Sequence, residues 1–459
     1  MKSLLDKINA KLNAQGGFLK AVSVLVGGTA FAQLIGLICL PILTRLYTPE
    51  DFSLFAVYTS LLMILSVASC LRFEIAIPIP QDDEEAIYLV VLALISNIII
   101  SIFICLIIWL FHSQIILLLK QPAFSNFIWL VPIGVFFSGI YNTLQYWVTR
   151  QKKFTIIAKT RMVQSVSGVS LQIAMGIMGF STLGLIVGQI VKVSAGIRLL
   201  AINFWNEGFR SIQNIQLYKL KQVFKKNDKF PKYSMLDSLA NTAGIQLPII
   251  IIAALSLGAE AGYLMFAMQL LGIPMQFIGG AISQVYLSHA PEHFEYGDIR
   301  AFTINILEKL FKFSFCLLIF IGVVSPVIVG HIFGSQWNSA GLIISWLIPW
   351  FIFQLISSPI SMIMHIANKQ KVLLILTVFG FILKISTIYF QYYINSDYLL
   401  QAYAISSAVF YFICYIVFSN VALLKMKDHL YLFGKVLFPA LIIITLSFFI
   451  VFLLRWTGL

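Results

Sequence analysis

The chain has 459 residues, of which 60% are hydrophobic and only 11% charged, and several apolar runs exceed the roughly 18 residues that separate a membrane span from a buried core helix. These proportions exclude a soluble globular enzyme and define an integral membrane protein. The formal net charge of +13 would point a soluble protein toward nucleic acid, but in a membrane chain Lys and Arg first report topology, and no nucleic-acid partner is expected.

Backbone polar groups cannot stay unpaired in lipid, so the spans must be helices or the strands of a closed barrel. Runs such as Tyr88 to Phe111 show no inside/outside alternation, which makes the chain all-α. Residues 1–18 set Leu4, Leu5, Ile8 and Leu12 on one helical face and Lys2, Lys7 and Lys11 elsewhere, as in a helix lying in the membrane interface. A disordered start fits the same residues, and no small-residue cleavage site marks a removable signal.

Thirteen spans follow, at about 20–46, 52–80, 84–111, 124–149, 155–179, 183–205, 230–256, 261–289, 300–331, 339–366, 371–393, 398–424 and 435–455. With the N-terminus inside, Arg150, Lys152, Lys153, Lys369, Lys371, Lys425, Lys427 and the Lys-rich loop after span six are cytoplasmic. Arg45, Lys120 and Arg455 then mark outer ends, the asymmetry expected of a correct orientation. The acidic run Asp82-Asp83-Glu84-Glu85 also falls inside, where acidic residues count little.

Residues 206–229 form the one long connection, a basic amphipathic cytoplasmic linker, with seven Lys/Arg from Arg210 to Lys232 and Phe209, Ile212, Ile215, Leu220 and Val223 interspersed. Attraction to anionic lipid accounts for its charge. It separates an N-terminal six-helix bundle (19–205) from a C-terminal one (230–424), with an additional C-terminal segment at 425–459. At an offset of 211 residues, Leu46, Phe52, Phe55 and Ala56 align with Leu257, Tyr263, Phe266 and Ala267, and both hairpins turn on a short loop bearing an acid, Glu50 or Glu260. Weak symmetry between halves of the same orientation predicts a parallel pseudo-twofold repeat, which in transporters places substrate between the halves.

The first hairpin, P-x-x-x-R-x-Y-x-P-E-D-F-x-L-F-A from Pro41 to Ala56, and the following R-F-E-I-A-I-P-x-P-x-x-D-E-E-A from Arg72 to Ala86 resemble the start of bacterial oligosaccharide flippases. Those are the polysaccharide transporter family of the multidrug/oligosaccharidyl-lipid/polysaccharide (MOP) superfamily. The likeness is specific over two spans and extends to length, span count and six-plus-six layout. It implies a MATE-like fold of two six-helix bundles around a partly cationic cavity, alternating access, and passage of undecaprenyl-pyrophosphate-linked repeat units across the bacterial inner membrane, with polysaccharide polymerase machinery as a further partner. The departure is the thirteenth segment, since the core fold needs twelve spans.

A carrier of such a substrate needs cations for phosphate and polar or aromatic groups for sugar. Lys192 and Lys384 lie near the middle of spans six and eleven, about 15 Å from either interface at ~1.5 Å per residue, too deep for snorkelling; both are expected to line the cavity with Arg72. Polar stripes add Asn142, Gln145 and Tyr146 in span four, Asn241 in span seven, and Gln269 and Gln276 in span eight, although helix packing through small and polar residues produces similar stripes. Arg72 and Glu74 stand two apart, on different faces of a continuous helix, so each is expected to find its partner on another helix. That pairing would be structural or would serve substrate or protons. Asp237 is the candidate for ion coupling from the second half, or else a salt-bridge partner of Lys232.

No catalytic group, cofactor or metal site is expected. His289-Ala290-Pro291-Glu292-His293 matches the H-x-x-E-H signature of inverted zinc proteases, but Pro291 is predicted to disrupt the helix and leave the motif in a loop. Gly184 and Gly188 read as helix packing, and Cys39, Cys70, Cys105, Cys316 and Cys414 as packing residues. A drug or cation exporter of the same superfamily would favour acids over the Lys and Arg seen here. A membrane polymerase or glycosyltransferase would need a larger extramembrane region than the longest outer loop, 112–123.

Overall fold

The computed structural model describes residues 17–207, 216–256 and 258–456. Most of the interfacial segment, part of the linker and Leu257 lie outside them. The first unit carries α1 (Gly17–Leu46), α2 (Pro49–Ser69), α3 (Phe73–Ala76), α4 (Asp83–Leu119), α5 (Leu130–Arg150), α6 (Phe154–Ile177), α7 (Ser181–Ser194), α8 (Ile197–Glu207) and α9 (Leu217–Lys226). Then come α10 (Met235–Ser256), α11 (Glu260–Pro274), α12 (Gly280–Tyr296), α13 (Ile299–Phe333), α14 (Asn338–Ile360), α15 (Ile363–Ile366), α16 (Gln370–Ile394), α17 (Leu399–Val421) and α18 (Met426–Trp456). The chain divides into two compact units: one runs to Tyr47 and from Leu54 to Leu247, the other takes Thr48–Ser53 and Pro248 onward.

Every expected span corresponds to helix. Eleven helical segments among the described residues are long and apolar enough to cross a membrane; α5 and α6 are the two expected spans outside that set. Several ends move. The second span stops at Ser69, because Leu71 and Arg72 take positive φ values of 51° and 64°, a left-handed turn that ends the α-helix. The expected outer loop at 112–123 is helical to Leu119 beyond a kink at Phe111, and the last helix starts at Met426 rather than 435. Span six is broken between α7 and α8, and span eight by a π-helical turn at Met275–Gly279.

Helix starts follow local chemistry. Thr48 Nα and Asp51 Oδ2 lie 3.1 Å apart while Asp51 N donates to Thr48 Oγ1 at 3.2 Å, a reciprocal cap of the first turn of α2. At α4, Asp82 accepts from Glu84 N at 3.1 Å, and Asp83, Glu84 and Glu85 occupy the positive end of the helix dipole.

Packing in the first unit joins α1, α6 and α7 through buried polar contacts. Tyr47 Oη donates to the Gln172 carbonyl at 2.6 Å, Gln172 Nε2 to the Leu185 carbonyl at 3.1 Å, and Ser165 Oγ to the Ala32 carbonyl at 2.7 Å. Gly184 and Gly188 permit this approach: a Cβ at either would fall 2.2 Å from Tyr47 Oη or Gln172 Cγ. In the second unit, Phe52 and Phe266 each meet the Trp337 ring at 4.9 Å and Tyr263 meets it at 6.0 Å. Phe52 and Tyr263, equivalent at the 211-residue offset, thus share one buried indole.

Candidate functional site

The break after α2 changes the reading of Arg72 and Glu74. In a continuous helix they would point apart, but the left-handed turn brings Arg72 Nη1 to 3.6 Å from Glu74 Oε1. They are paired with each other, contrary to the expectation of partners on separate helices, and they sit in the connection outside the spanning segments. Glu74 is 5% exposed. Burial pushes its carboxyl above the ordinary range, against the opposing pull of its own backbone N–H and of Arg72. Glu74 Oε2 and Arg72 Nε are buried without a hydrogen-bond partner. From α5, Tyr146 comes within electrostatic range of both charges. Cys70 packs with its Sγ 3.4 Å from Thr143 Oγ1, and burial pushes its thiol up to about 12, so it is an inert packing group.

The acidic run that follows is matched rather than merely tolerated. Arg150, at the end of α5, binds Asp83 Oδ1 through Nη2 at 2.8 Å, donates to the Gln81 carbonyl at 3.0 Å and reaches the Pro80 carbonyl. Linker helix α9 lies against the start of α4: Lys219 Nζ is 2.7 Å from Glu84 Oε1 and Lys226 Nζ 2.8 Å from Glu85 Oε2. Gln216 N donates to Tyr88 Oη at 3.0 Å. The hydrogen bond to Glu84 raises the Lys219 pKa. On the apolar side Phe224 meets Phe73 at 5.5 Å, and Leu220 and Val223 pack on the buried cluster around Phe73, Ile77 and Trp147. The sequence marked this stretch as a basic amphipathic linker but showed neither its helix nor the helix's seat on α4. The visible signal was complementary charge, four consecutive acids against lysines spaced along one helix.

The remaining candidates are distributed through the two units. Asn142, Gln145 and Tyr146 are half-buried on α5. Lys192 occupies the last turn of α7, just before the break at Ala195-Gly196, where a cation suits the negative end of the dipole. Its stem packs on Gly168, whose added Cβ would fall 2.5 Å away; the residue is exposed, and among the described residues it has no hydrogen bond or ion pair. Asp237 and Asn241 are exposed on α10. The suggested Asp237 partner, Lys232, is instead 2.5 Å from Asp228, one helical turn earlier. Gln269 and Gln276 are exposed on α11 and on the π-helical turn.

Lys384 departs from the expectation of a cavity wall. It is 8% exposed, and its Nζ sits 4.8, 5.3 and 5.7 Å from the ring centres of Phe410, Tyr411 and Trp350. The absence of a side chain at Gly380 lets Phe410 close in, since a Cβ there would fall 2.3 Å from that ring. Three aromatic faces hold the ammonium, and among the described residues no carboxylate pairs with it.

The H-x-x-E-H motif is also corrected in one respect: α12 runs unbroken through Pro291 to Tyr296, so both histidines lie on one helical face rather than in a loop. His289 and His293 flank Phe302, and His293 Nδ1 lies 2.8 Å from Asp298 Oδ1. Among the described residues no group of three His, Cys, Asp or Glu could hold a metal ion.

An all-α membrane protein of two units, with hairpins that share an aromatic anchor, corresponds to the MOP superfamily fold. Solved structures show the likeness. The lipid II flippase MurJ in its inward closed conformation is similar with a TM-score of 0.67 and 13% identity, over 93% of this chain and 98% of that one. An inward-facing multidrug resistance MATE family transporter gives 0.64 and 13%, over 90% and 94%. A MOP superfamily transporter from Pyrococcus furiosus Vc1, described by the reverse polarity of its binding pocket, gives 0.55 and 13%, over 91% and 96%. No curated protein matches the sequence. Residues 42–342 match the family model described as polysaccharide biosynthesis protein, and the chain belongs to that family.

Proposed function

We propose that this protein is a flippase that carries undecaprenyl-pyrophosphate-linked oligosaccharide repeat units across the bacterial inner membrane for surface polysaccharide assembly, by alternating access. The family, the MOP fold and the two hairpin motifs support the reading. The observation that carries it is Lys192, a cation in an apolar span that is exposed yet has no carboxylate partner among the described residues. Ammonium facing lipid costs about 3 kcal/mol on insertion scales, so its place is a water-accessible path, and a passing diphosphate supplies the missing anion.

In this reading Lys192 and Arg72 contact phosphate, Arg72 through donors left over from its long pairing with Glu74. Asn142, Gln145, Tyr146, Asn241, Gln269 and Gln276 contact sugar. Lys384 is held in its aromatic cage and contributes to the second unit's architecture rather than to phosphate binding. The test is deletion of the protein followed by leaflet-resolved labelling of lipid-linked repeat units. Accumulation on the cytoplasmic leaflet, reversed by the wild-type chain, is the expected result. Accumulation of unpolymerised units on the outer leaflet would instead indicate a polymerase and sink the proposal.

A further inference from the structure

The first half of α10 and the π-helical turn before it, Phe230–Ser234, present an exposed row at four-residue spacing: Lys229, Tyr233, Asp237 and Asn241. None of the four has a hydrogen-bond or ion-pair partner among the described residues. Two of them are charged, and Tyr233, Asp237 and Asn241 belong to a segment, Phe230–Ser256, that is apolar and long enough to cross a membrane. A face of this kind does not look onto lipid. It opens a recess of about 390 Å³ lined by Lys229, Phe230, Tyr233, Ser234 and Asp237, within the range of ~300–1,000 Å³ usual for small-molecule sites. Phe230 packs back on the buried cluster of the first unit, anchoring the turn, while Lys229 and Tyr233 beside it have no side-chain partner among the described residues. Single π-helical turns are frequent at functional sites.

The order of groups along the row is chemical information. An ammonium comes first, then a phenol ring, a carboxylate and a carboxamide, spread over about 18 Å at ~1.5 Å per residue. Lys229 suits a phosphate. The Tyr233 ring offers a flat apolar face to the C–H side of a pyranose, and Asp237 and Asn241 offer paired acceptors and donors to vicinal hydroxyls. Asp228 occupies Lys232, so the Asp237 carboxylate keeps its acceptor positions for a ligand.

We propose that Lys229, Tyr233, Asp237 and Asn241 form a sugar-reading subsite at the linker-side mouth of α10, for glycosyl residues attached to a lipid diphosphate. Asp237 accepts from substrate hydroxyls there and is not an ion-coupling acid. The inference rests on the flippase reading and adds the part of the substrate that α10 recognises.

The test uses the full chain in lipid nanodiscs and two probes: undecaprenyl pyrophosphate, and undecaprenyl pyrophosphate carrying the repeat unit isolated from the producing cells. Wild type should bind the glycosylated lipid more tightly. Tyr233→Ala and Asp237→Ala should each weaken that binding about tenfold, the weight of one or two lost contacts, and leave the bare lipid unchanged. Lys229→Gln should weaken both probes. Asp237→Asn retains hydrogen bonding without a titrating group and should keep most of the discrimination and most of the transport. Unaltered discrimination in a folded Tyr233→Ala, Asp237→Ala double variant would overturn the subsite while leaving the flippase reading intact. Loss of transport in Asp237→Asn with discrimination preserved would assign the carboxyl to ion coupling and also overturn it. If wild type binds neither probe, the flippase reading fails first and the subsite with it.

Discussion

Lys192 and Lys384 look alike in the sequence, each a single lysine near the middle of an apolar span, and the structure treats them in opposite ways. Lys192 stands at a helix break, exposed, with its stem on Gly168 and no anion among the described residues. Lys384 is enclosed by Trp350, Phe410 and Tyr411 at distances of 4.8 to 5.7 Å. A cation inside a membrane protein must be compensated, but compensation by aromatic faces serves the protein itself, whereas a missing counter-ion leaves room for a ligand. Depth in a span therefore identifies a buried cation without saying what it is for.

The largest effect expected from this contrast is on export. Lys192→Gln should lower surface-glycan export more than tenfold, at least the weight of one charge-assisted contact, with normal protein abundance. Lys192→Arg should retain part of the activity because charge is kept and donor geometry changes. Lys384→Met should leave export near wild type. Equal loss in the two lysine variants, measured as polymer at the cell surface, would erase the distinction.

Next in size is stability of the cage. Trp350→Leu should lower stability by about 2 to 4 kcal/mol, from lost aromatic volume and a less shielded ammonium. Combining it with Lys384→Met should recover about 1 kcal/mol of that loss, the coupling expected for a cation–π contact. Thermal unfolding of the four proteins in one detergent completes the cycle, and strict additivity would mean that the rings do not stabilise the charge.

A smaller effect is expected where charges pair at the surface. Replacing Glu84 and Glu85 by Gln should leave global stability nearly unchanged, because solvent screens exposed pairs, yet it should speed hydrogen exchange in α9, which those pairs hold against α4. High salt should reproduce that change in the wild type. Exchange that stays slow in the variant would show that Leu220, Val223 and Phe224 suffice to seat the helix.

The smallest effect concerns pH. Burial raises the Glu74 pKa in the folded protein, so the folded state keeps this proton to higher pH than the unfolded chain. Stability from this group is then greater on the acid side and declines as pH rises from the unfolded to the folded value. Glu74→Gln should flatten that part of the unfolding-temperature profile; an unchanged slope would place the titration elsewhere.

Much of the fold was legible because its cause is local. Hydrocarbon admits only self-satisfied backbone, so the apolar runs located thirteen helical segments. The packing role of Gly184 and Gly188 and the family likeness of the first hairpin were legible on the same terms. The pairing of Arg72 with Glu74 was not, because it depends on two left-handed residues that interrupt the helix, and neither is glycine. The continuity of α12 through Pro291 could not be read either, since proline in a helix is tolerated or not according to what surrounds the freed carbonyl.

What the sequence by itself determined was the solvent of each segment, because hydrophobicity is additive along a helix and needs no knowledge of neighbours. Only the tertiary structure decided which charges are answered inside the protein: α9 by the acids of α4, Arg150 by the connection before α4, and Lys384 by rings from two other helices. Electrostatic compensation is a matter of a few ångströms between residues distant in the chain, and no local pattern records it.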